Sequence, residues 1–231
     1  MPRTVAPEIL DSLAPDDPAA LRSRRDLRRL NRWMRNEAHL LSAIWKLDSQ
    51  PATIVEAGCG DGTFMLSLAR RLRGEWVDRP RIYLLDMEPV VSAETLRAFT
   101  ELGWEASVVA AKIQDWIEHP GLPGVDLVLG NLFWHHLTDE ELRTVFCGMS
   151  GIAKAFIACE PRRWLPSLIA TRLLWAIGCS RVTMHDGIVS VRAGFRDFEL
   201  SGLWPGGTDM KTREFSPGWA THVFVAERSN G

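Results

Sequence analysis

The stretch Thr53–Arg71, TIVEAGCGDGTFMLSLARR, constrains the fold of this chain more than any other. The apolar pair Ile54 and Val55 ends in an acid, Glu56. Gly58, Gly60 and Gly62 follow at alternate positions. Phe64, Leu66, Leu68, Ala69 and Leu72 then recur in an amphipathic helical pattern. Strand, glycine loop and helix in that order open a doubly wound α/β sheet. Glycines let the backbone turn tightly and come close to a ligand. The helix N-terminus then offers unpaired N–H groups to a carboxylate or phosphate. The spacing is E-x-G-x-G-x-G, whereas dinucleotide-binding turns use G-x-G-x-x-G.

The acid followed by three glycines resembles motif I of class I S-adenosylmethionine (SAM)-dependent methyltransferases. The resemblance implies a loop that wraps the methionine part of SAM, with Gly58, Cys59 and Gly60 against the cofactor. Glu56 would help to hold its ammonium group. A NAD-type or purely structural turn is the other reading. Arg81–Asp86 (RIYLLD) is a second strand ending in an acid, and a carboxylate there can accept ribose hydroxyls. In the resemblance Asp86 is the ribose-binding acid and Met87 packs on the adenine. Ala106–Ala110 is a third strand, after a helix closed by Gly103. The family often has an adenine-binding acid just after it. This chain has Lys112, so that contact falls to Asp115, falls to the backbone near Ile113, or is lost.

A fourth strand, 124–131 (GVDLVLGN), runs into Leu132-Phe133-Trp134-His135-His136-Leu137. This resembles motif IV of the same family and implies that Asn131 lies beside the reactive methyl group. Thr138-x-x-Glu141 is a capping box that starts the next helix. The fifth strand is Ala155–Glu160, with a helix from Leu165 to Ile177. His185–Gly194 and Asp197–Leu203 read as helices. Asp209–Phe215 and Thr221–Glu227 form a closing antiparallel hairpin. The expected fold is therefore a doubly wound, Rossmann-like α/β sheet of seven strands, mixed in direction, with an N-terminal helical cap. Residues 1–48 are the tail and cap of the same domain, and residues 49–231 are the SAM-binding part.

Residues 1–20 are rich in Pro, Asp and Ala and read as loose chain. Residues 21–47 form one long amphipathic helix or a pair, with seven arginines between Arg22 and Arg35. Leu27, Leu30, Met34 and Leu41 recur at helical spacing. This is either a cap over the cofactor pocket or a basic surface for RNA phosphates. Too few exposed aromatics accompany it for base stacking, which favours the cap. Asn31, Arg32 or Arg35 could reach the cofactor carboxylate or an acidic substrate.

The net charge of −2 gives no global signal for nucleic acid. Cys59, Cys147, Cys159 and Cys179 lack metal spacing and read as buried thiols, so no metal site is expected. No targeting signal or apolar run near the length of a membrane span is present, so a cytoplasmic protein without membrane insertion is expected.

The strand-four motif lacks the prolines of [DN]-P-P-[FY], which lowers the nucleic-acid reading. The NLFWHHL segment, His185–Phe195 (HDGIVSVRAGF) and Glu199-Leu200 resemble bacterial methyltransferases of quinone and polyketide-phenol pathways. That resemblance implies methyl transfer to oxygen or carbon of a small aromatic substrate. RNA methylation, or a SAM-binding protein with a non-methyl reaction, are the alternatives. A phenol has a pKa near 10, so a histidine base is useful. The candidates are His135, His136 and His185. Asp186, Arg192, Arg162 and Trp134 are candidate substrate contacts. Trp164, Trp175, Trp204 and Trp219 join Trp134 either around an aromatic pocket or in the core. The oligomeric state is not readable.

Overall fold

The computed structural model describes residues 1–72, 79–118 and 124–228. Its sheet has seven strands: β1 (Thr53–Ala57), β2 (Arg81–Asp86), β3 (Glu105–Ala110), β4 (Val125–Asn131), β5 (Ala153–Pro161), β6 (Met210–Phe215) and β7 (Thr221–Arg228). They lie in the order β3-β2-β1-β4-β5-β7-β6. The first five are parallel, and β7 runs antiparallel between β5 and β6. This is the expected mixed sheet with its closing hairpin. The strand order reverses between β1 and β4, so a crevice opens beyond Ala57 and Asn131. Ligands of open α/β sheets bind at such a switch point.

Successive strand residues feed opposite cores, as the two-residue period requires. Val55, Val128, Phe156 and Phe224 pack on one face, and Ile54, Leu127, Ile157 and Val225 on the other. Helix α3 (Thr63–Leu72) covers the second face with α4 (Ala93–Glu101). Helices α5 (Ile113–Glu118), α6 (Asp139–Ile152) and α9 (Glu199–Leu203) cover the first. The Thr138–Glu141 capping box forms at the start of α6 as its sequence predicts.

The arginine-rich region is a pair of helices, α1 (Pro18–Met34) and α2 (Asn36–Ile44). Arg35 breaks them apart in the left-handed region at φ 59°, a conformation costing roughly 1–2 kcal/mol for a non-glycine residue. Asn36, fully buried just after the break, holds the corner. Helix α7 (Leu165–Arg172) is shorter than expected. The chain continues as a 3-10 turn, Leu174–Ile177, ended by Gly178 at φ 77°. Helix α8 (Arg181–Ala193) begins four residues before His185, because the Ser180 side chain caps the N–H of Thr183.

Two expectations need correction. Residues 1–20 are not loose. Arg3 donates to the carbonyls of Ala193 (2.8 Å) and Leu137 (2.6 Å), and the N–H groups of Ile9 and Leu10 donate to Asp186 (2.8 and 3.0 Å). Composition signals disorder only where the polar groups lack partners, and here helix-end carbonyls and a buried carboxylate supply them. Cys147 is exposed on α6, whereas Cys59, Cys159 and Cys179 are buried thiols.

Asp26 ties α1 to α8. Its buried carboxylate accepts the N–H of Ser180 (2.7 Å), the hydroxyl of Thr183 (3.0 Å) and the guanidinium of Arg29 (2.7 Å). Asp26→Ala leaves those donors unpaired and should lower unfolding stability by about 2 kcal/mol. Urea denaturation checks this; an unchanged midpoint would show that the cap is not held through Asp26.

Candidate active site

The glycine loop is clamped from both sides. Gly58, Gly60 and Gly62 all have positive φ. At Gly58 a second constraint acts, since a Cβ there would lie 2.3 Å from the Phe133 ring. The N–H groups of Gly58 and Cys59 donate to the carbonyl of Leu85 at 2.8 and 3.1 Å. The N–H of Gly60 donates to Asp86 Oδ2 at 2.8 Å, and Oδ1 accepts the N–H of Glu88 at 3.0 Å. Asp86 thus fastens the loop to the end of β2, and each oxygen keeps a second lone pair for a ligand. Asp61 accepts the N–H of Thr63 at the start of α3, and Arg28 of α1 pairs with it at 2.7 Å.

Glu56 lies beneath this loop. It is buried, and its Oε2 has no hydrogen-bond partner among the described residues. Burial, and then the charges of Asp61 and Asp86, push its carboxyl well above the ordinary carboxylate range. An uncompensated buried carboxyl beside a cavity is a ready partner for a cation. Burial also pushes up the Cys59 thiol, with the acids around it adding to the effect, so Cys59 is no nucleophile.

At the end of β4 the chain turns sharply. Leu132 sits at φ 56°. The next three N–H groups all go to Glu160 at the end of β5: Phe133 at 3.0 Å, Trp134 at 2.9 Å and His135 at 3.3 Å. His135 Nδ1 lies 2.6 Å from Glu160 Oε2, and its Nε2 lies 3.4 Å from Glu8 Oε1 on the N-terminal strap. Burial alone would depress the imidazole, but Glu160 and then Glu8 raise its pKa to about 9. His135 is therefore an imidazolium at neutral pH. Burial would raise the Glu8 carboxyl, yet His135 holds it below its ordinary value. The Ser190 hydroxyl also donates to Glu8. Glu8, His135 and His136 have donor atoms within 4.8 Å of one another. Both ring nitrogens of His135 face carboxylates, so the cluster is ordered as an ion pair.

His136 is different. Its side chain is 28 % exposed, and Nδ1 faces Asp11 of the strap at 3.5 Å. Its ring stands 4.4 Å from that of His135. Asn131 belongs to an amide network. Its Nδ2 donates to Asn31 (2.9 Å) and its Oδ1 accepts from Asn36 (2.9 Å), which accepts in turn from Thr221.

A cavity of about 590 Å³ joins these parts. Glu56, Gly58, Cys59 and Gly60 line one end, with Asp86, Met87 and Ile113 beside them. Asn131, His135, His136 and Asp186 line the rest. The structure does not bring the other sequence candidates to it. Trp134 is fully buried among Phe146 and Phe156, turned under the sheet by the 3-10 turn that starts at it. Arg162 stacks on Trp164 at 4.2 Å instead of entering the cavity. Arg192 is exposed. His185 is half exposed and turns back to Asp186 at 2.9 Å. Asp186 itself is committed to Ile9 and Leu10. Arg32, Arg35 and Asp115 are exposed and lie off the cavity. Of the tryptophans singled out, only Trp219 lines it, joined by Trp33. Trp204 is core and Trp175 is exposed. Sequence reasoning missed Glu8, Asp11, Arg28 and Gln114, which also line the cavity. The acid-rich tail before the arginine helix was the only signal for the first two.

Residues 54–155 match the family described as "Methyltransferase domain". The matched segment carries the acidic glycine loop and the parallel strands of the sheet, and it is a SAM-dependent methyltransferase domain. Among solved structures it is similar to the plantazolicin methyltransferase BamL in complex with a triazolic desmethylPZN analog and SAH. That likeness has 14% identity and a TM-score of 0.66, and covers 95% of this chain and 93% of that one. It is similar also to the plantazolicin methyltransferase BpumL in complex with SAH (14% identity, TM-score 0.63, 93% and 92% covered). Magnesium protoporphyrin IX methyltransferase from Synechocystis PCC 6803 with bound SAM gives 14% identity and a TM-score of 0.51, with 96% and 88% covered. These likenesses concern the fold. No curated protein sequence matches the chain.

The His135 ion pair predicts a pH dependence. Its pKa rises from 6.5 to about 9 on folding. Its contribution to stability is therefore complete below pH 6.5 and lost as the pH climbs through about 9. Glu8 acts oppositely: its depressed pKa stabilises above about pH 4.5 and the contribution is lost on acidification. Denaturant unfolding of the wild type and His135→Gln should diverge most near pH 6 and converge toward pH 9. A difference independent of pH would mean that the imidazole is not charged in the folded protein.

Proposed function

We propose that this chain transfers a methyl group from SAM to an oxygen or ring carbon of a small phenolic, quinone-like or polyketide-derived metabolite. The observation that carries this reading is the single cavity running from the acidic glycine loop, past Asn131, to His136. Its volume of about 590 Å³ is that of a small-molecule site. The N-terminal strap and α1 line it as well. Several arginines of α1 are also engaged within the protein: Arg24 with Pro15, Arg28 with Asp61 and Arg29 with Asp26. The plantazolicin enzymes were captured with desmethylPZN analogs, and the Synechocystis enzyme is named for magnesium protoporphyrin IX. Those small-molecule acceptors favour the same class here.

The residues present fit SAM. The orphaned Oε2 of Glu56 offers the counter-charge for an ammonium group. Gly58, Cys59 and Gly60 give backbone that approaches closely. Asp86 has lone pairs for the ribose. Met87, Ile113 and the amide of Gln114 border the adenine end, Gln114 answering the departure at Lys112. When bound, SAM supplies a sulfonium methyl whose leaving group is a neutral thioether. In-line alignment is then the main task, and positioning of this kind can supply roughly 7–11 kcal/mol. Asn131, fixed by Asn31 and Asn36, lines the cavity between the two ends. His136 is the base that takes the acceptor proton; its Nδ1 faces Asp11. His135 is already protonated and acts as a positioning residue, holding its neighbour against Glu160 and Glu8. Residues 1–48 act as a cap of the same domain.

Calorimetry and mass spectrometry test this together. SAM should bind, and Glu56→Gln, which removes the counter-charge for its ammonium group, should weaken binding about tenfold or more. A pool of phenols and hydroxyquinones should yield a product heavier by one CH₂ group. His136→Ala should slow turnover about 10²-fold or more without changing SAM affinity. Methylated RNA in place of a phenol product, or full activity in His136→Ala, would overturn the assignment of substrate class or base.

A further inference from the structure

We propose that α7, the 3-10 turn after it and the arginine face of α1 form a surface that docks on an anionic lipid bilayer. The docking is peripheral, since no described helix is long and apolar enough to cross a membrane.

Five large apolar side chains on this segment face solvent: Leu165, Ile169, Leu173, Trp175 and Ile177. Leu165 and Trp175 are 64% and 63% exposed. The first three recur at four-residue intervals and therefore share one face of α7. The opposite face points inward, where Ser167, Ala170, Thr171 and Leu174 line the cavity. The exposed ridge extends beyond the N-terminus of α7 through Trp219. Its carbonyl accepts the Trp164 indole and Ser167 hydroxyl, and its ring meets the exposed Trp33 edge-on at 4.7 Å.

The exposed charged side chains on α7, the first turn of α8 and α1 itself are basic. Arg172 and Arg181 are exposed at the ends of α7 and α8. Arg22 reaches the carbonyl of Gly178 at 3.5 Å, which sets α1 beside the 3-10 turn. Arg22 and Arg25 are exposed one turn apart on α1. No Asp or Glu occurs between Pro161 and His185. The one acid within α1, Asp26, is buried and saturated by Ser180, Thr183 and Arg29.

Exposed Leu, Ile and Trp flanked by arginines with little acid is the composition of an interfacial element. The apolar side chains enter the acyl boundary, and the guanidinium groups meet anionic headgroups. A two-fold interface between copies of the chain would instead bring these arginines toward one another. An RNA would use the arginines but leave the aliphatic ridge in water. The lipid surface satisfies both parts.

The full-length protein should co-sediment with vesicles of equimolar phosphatidylglycerol and phosphatidylcholine, weakly with pure phosphatidylcholine, and less as salt rises. Trp175→Ala with Ile177→Ser, and separately Arg22→Gln with Arg181→Gln, should each lower partitioning about tenfold. These side chains are exposed, so thermal melts should match the wild type. No co-sedimentation with anionic vesicles at low salt would overturn the proposal, as would unchanged partitioning in both double variants. Self-association abolished by Trp175→Ala without vesicle binding would assign the surface to a second copy instead. The readout needs no methyl acceptor, so it stands or falls apart from the substrate reading.

Discussion

Four donors from one short loop converge on the buried carboxylate of Glu160: the N–H groups of Phe133, Trp134 and His135, and the His135 imidazole. This sets the path of the chain beyond β4. Removing one member of a buried ion pair costs roughly 3–5 kcal/mol, a large share of the roughly 5–15 kcal/mol that keeps a domain folded. The loop carries the Phe133 ring against Gly58 and places His136 at the cavity. One carboxylate on β5 therefore fixes the relation between the glycine loop and the His136 end of the cavity.

The segments before β1 are bound to that arrangement by polar contacts as well as by the apolar side chains that α2 buries in the core. Glu8 completes the surroundings of His135, Arg28 holds Asp61 in the glycine loop, and Asn31 and Asn36 grip Asn131. Each contact joins the cap or strap to a residue at the cavity. A charge-assisted or amide contact specifies a partner and an orientation, which a stripe of leucines alone does not. The cap is thereby positioned against the site and not merely against the sheet.

The parts of this design that were legible in the sequence are local. The acid, the alternating glycines and the helix after them lie within twenty residues, and spacing alone identifies them. The Thr138–Glu141 box spans one helical turn. What escaped depends on contacts across long separations. His135 and Glu160 are 25 residues apart, and Glu8 and Ser190 are 182 apart. The composition of the first twenty residues says nothing of Arg3 finding carbonyls at Leu137 and Ala193. Trp134 misled because its segment follows a strand at the ligand edge. The turn at Leu132 sends the indole under Gly130, where a Cβ would lie 2.4 Å from its nitrogen. Periodicity gives the face of a strand residue but not the aim of a side chain in an irregular turn.

The strap has a consequence for the protonation of the site. Chain 1–11 is tied to the His135 end of the cavity through Arg3, Ile9, Leu10 and Glu8, while α1 lines the glycine-loop end. Were the strap to lift, Glu8 would leave His135. Part of what keeps that imidazole charged would go with it. Closure and protonation are thus linked, each favouring the other by the same free energy. The position of the first eleven residues would then follow the proton occupancy of a buried imidazole.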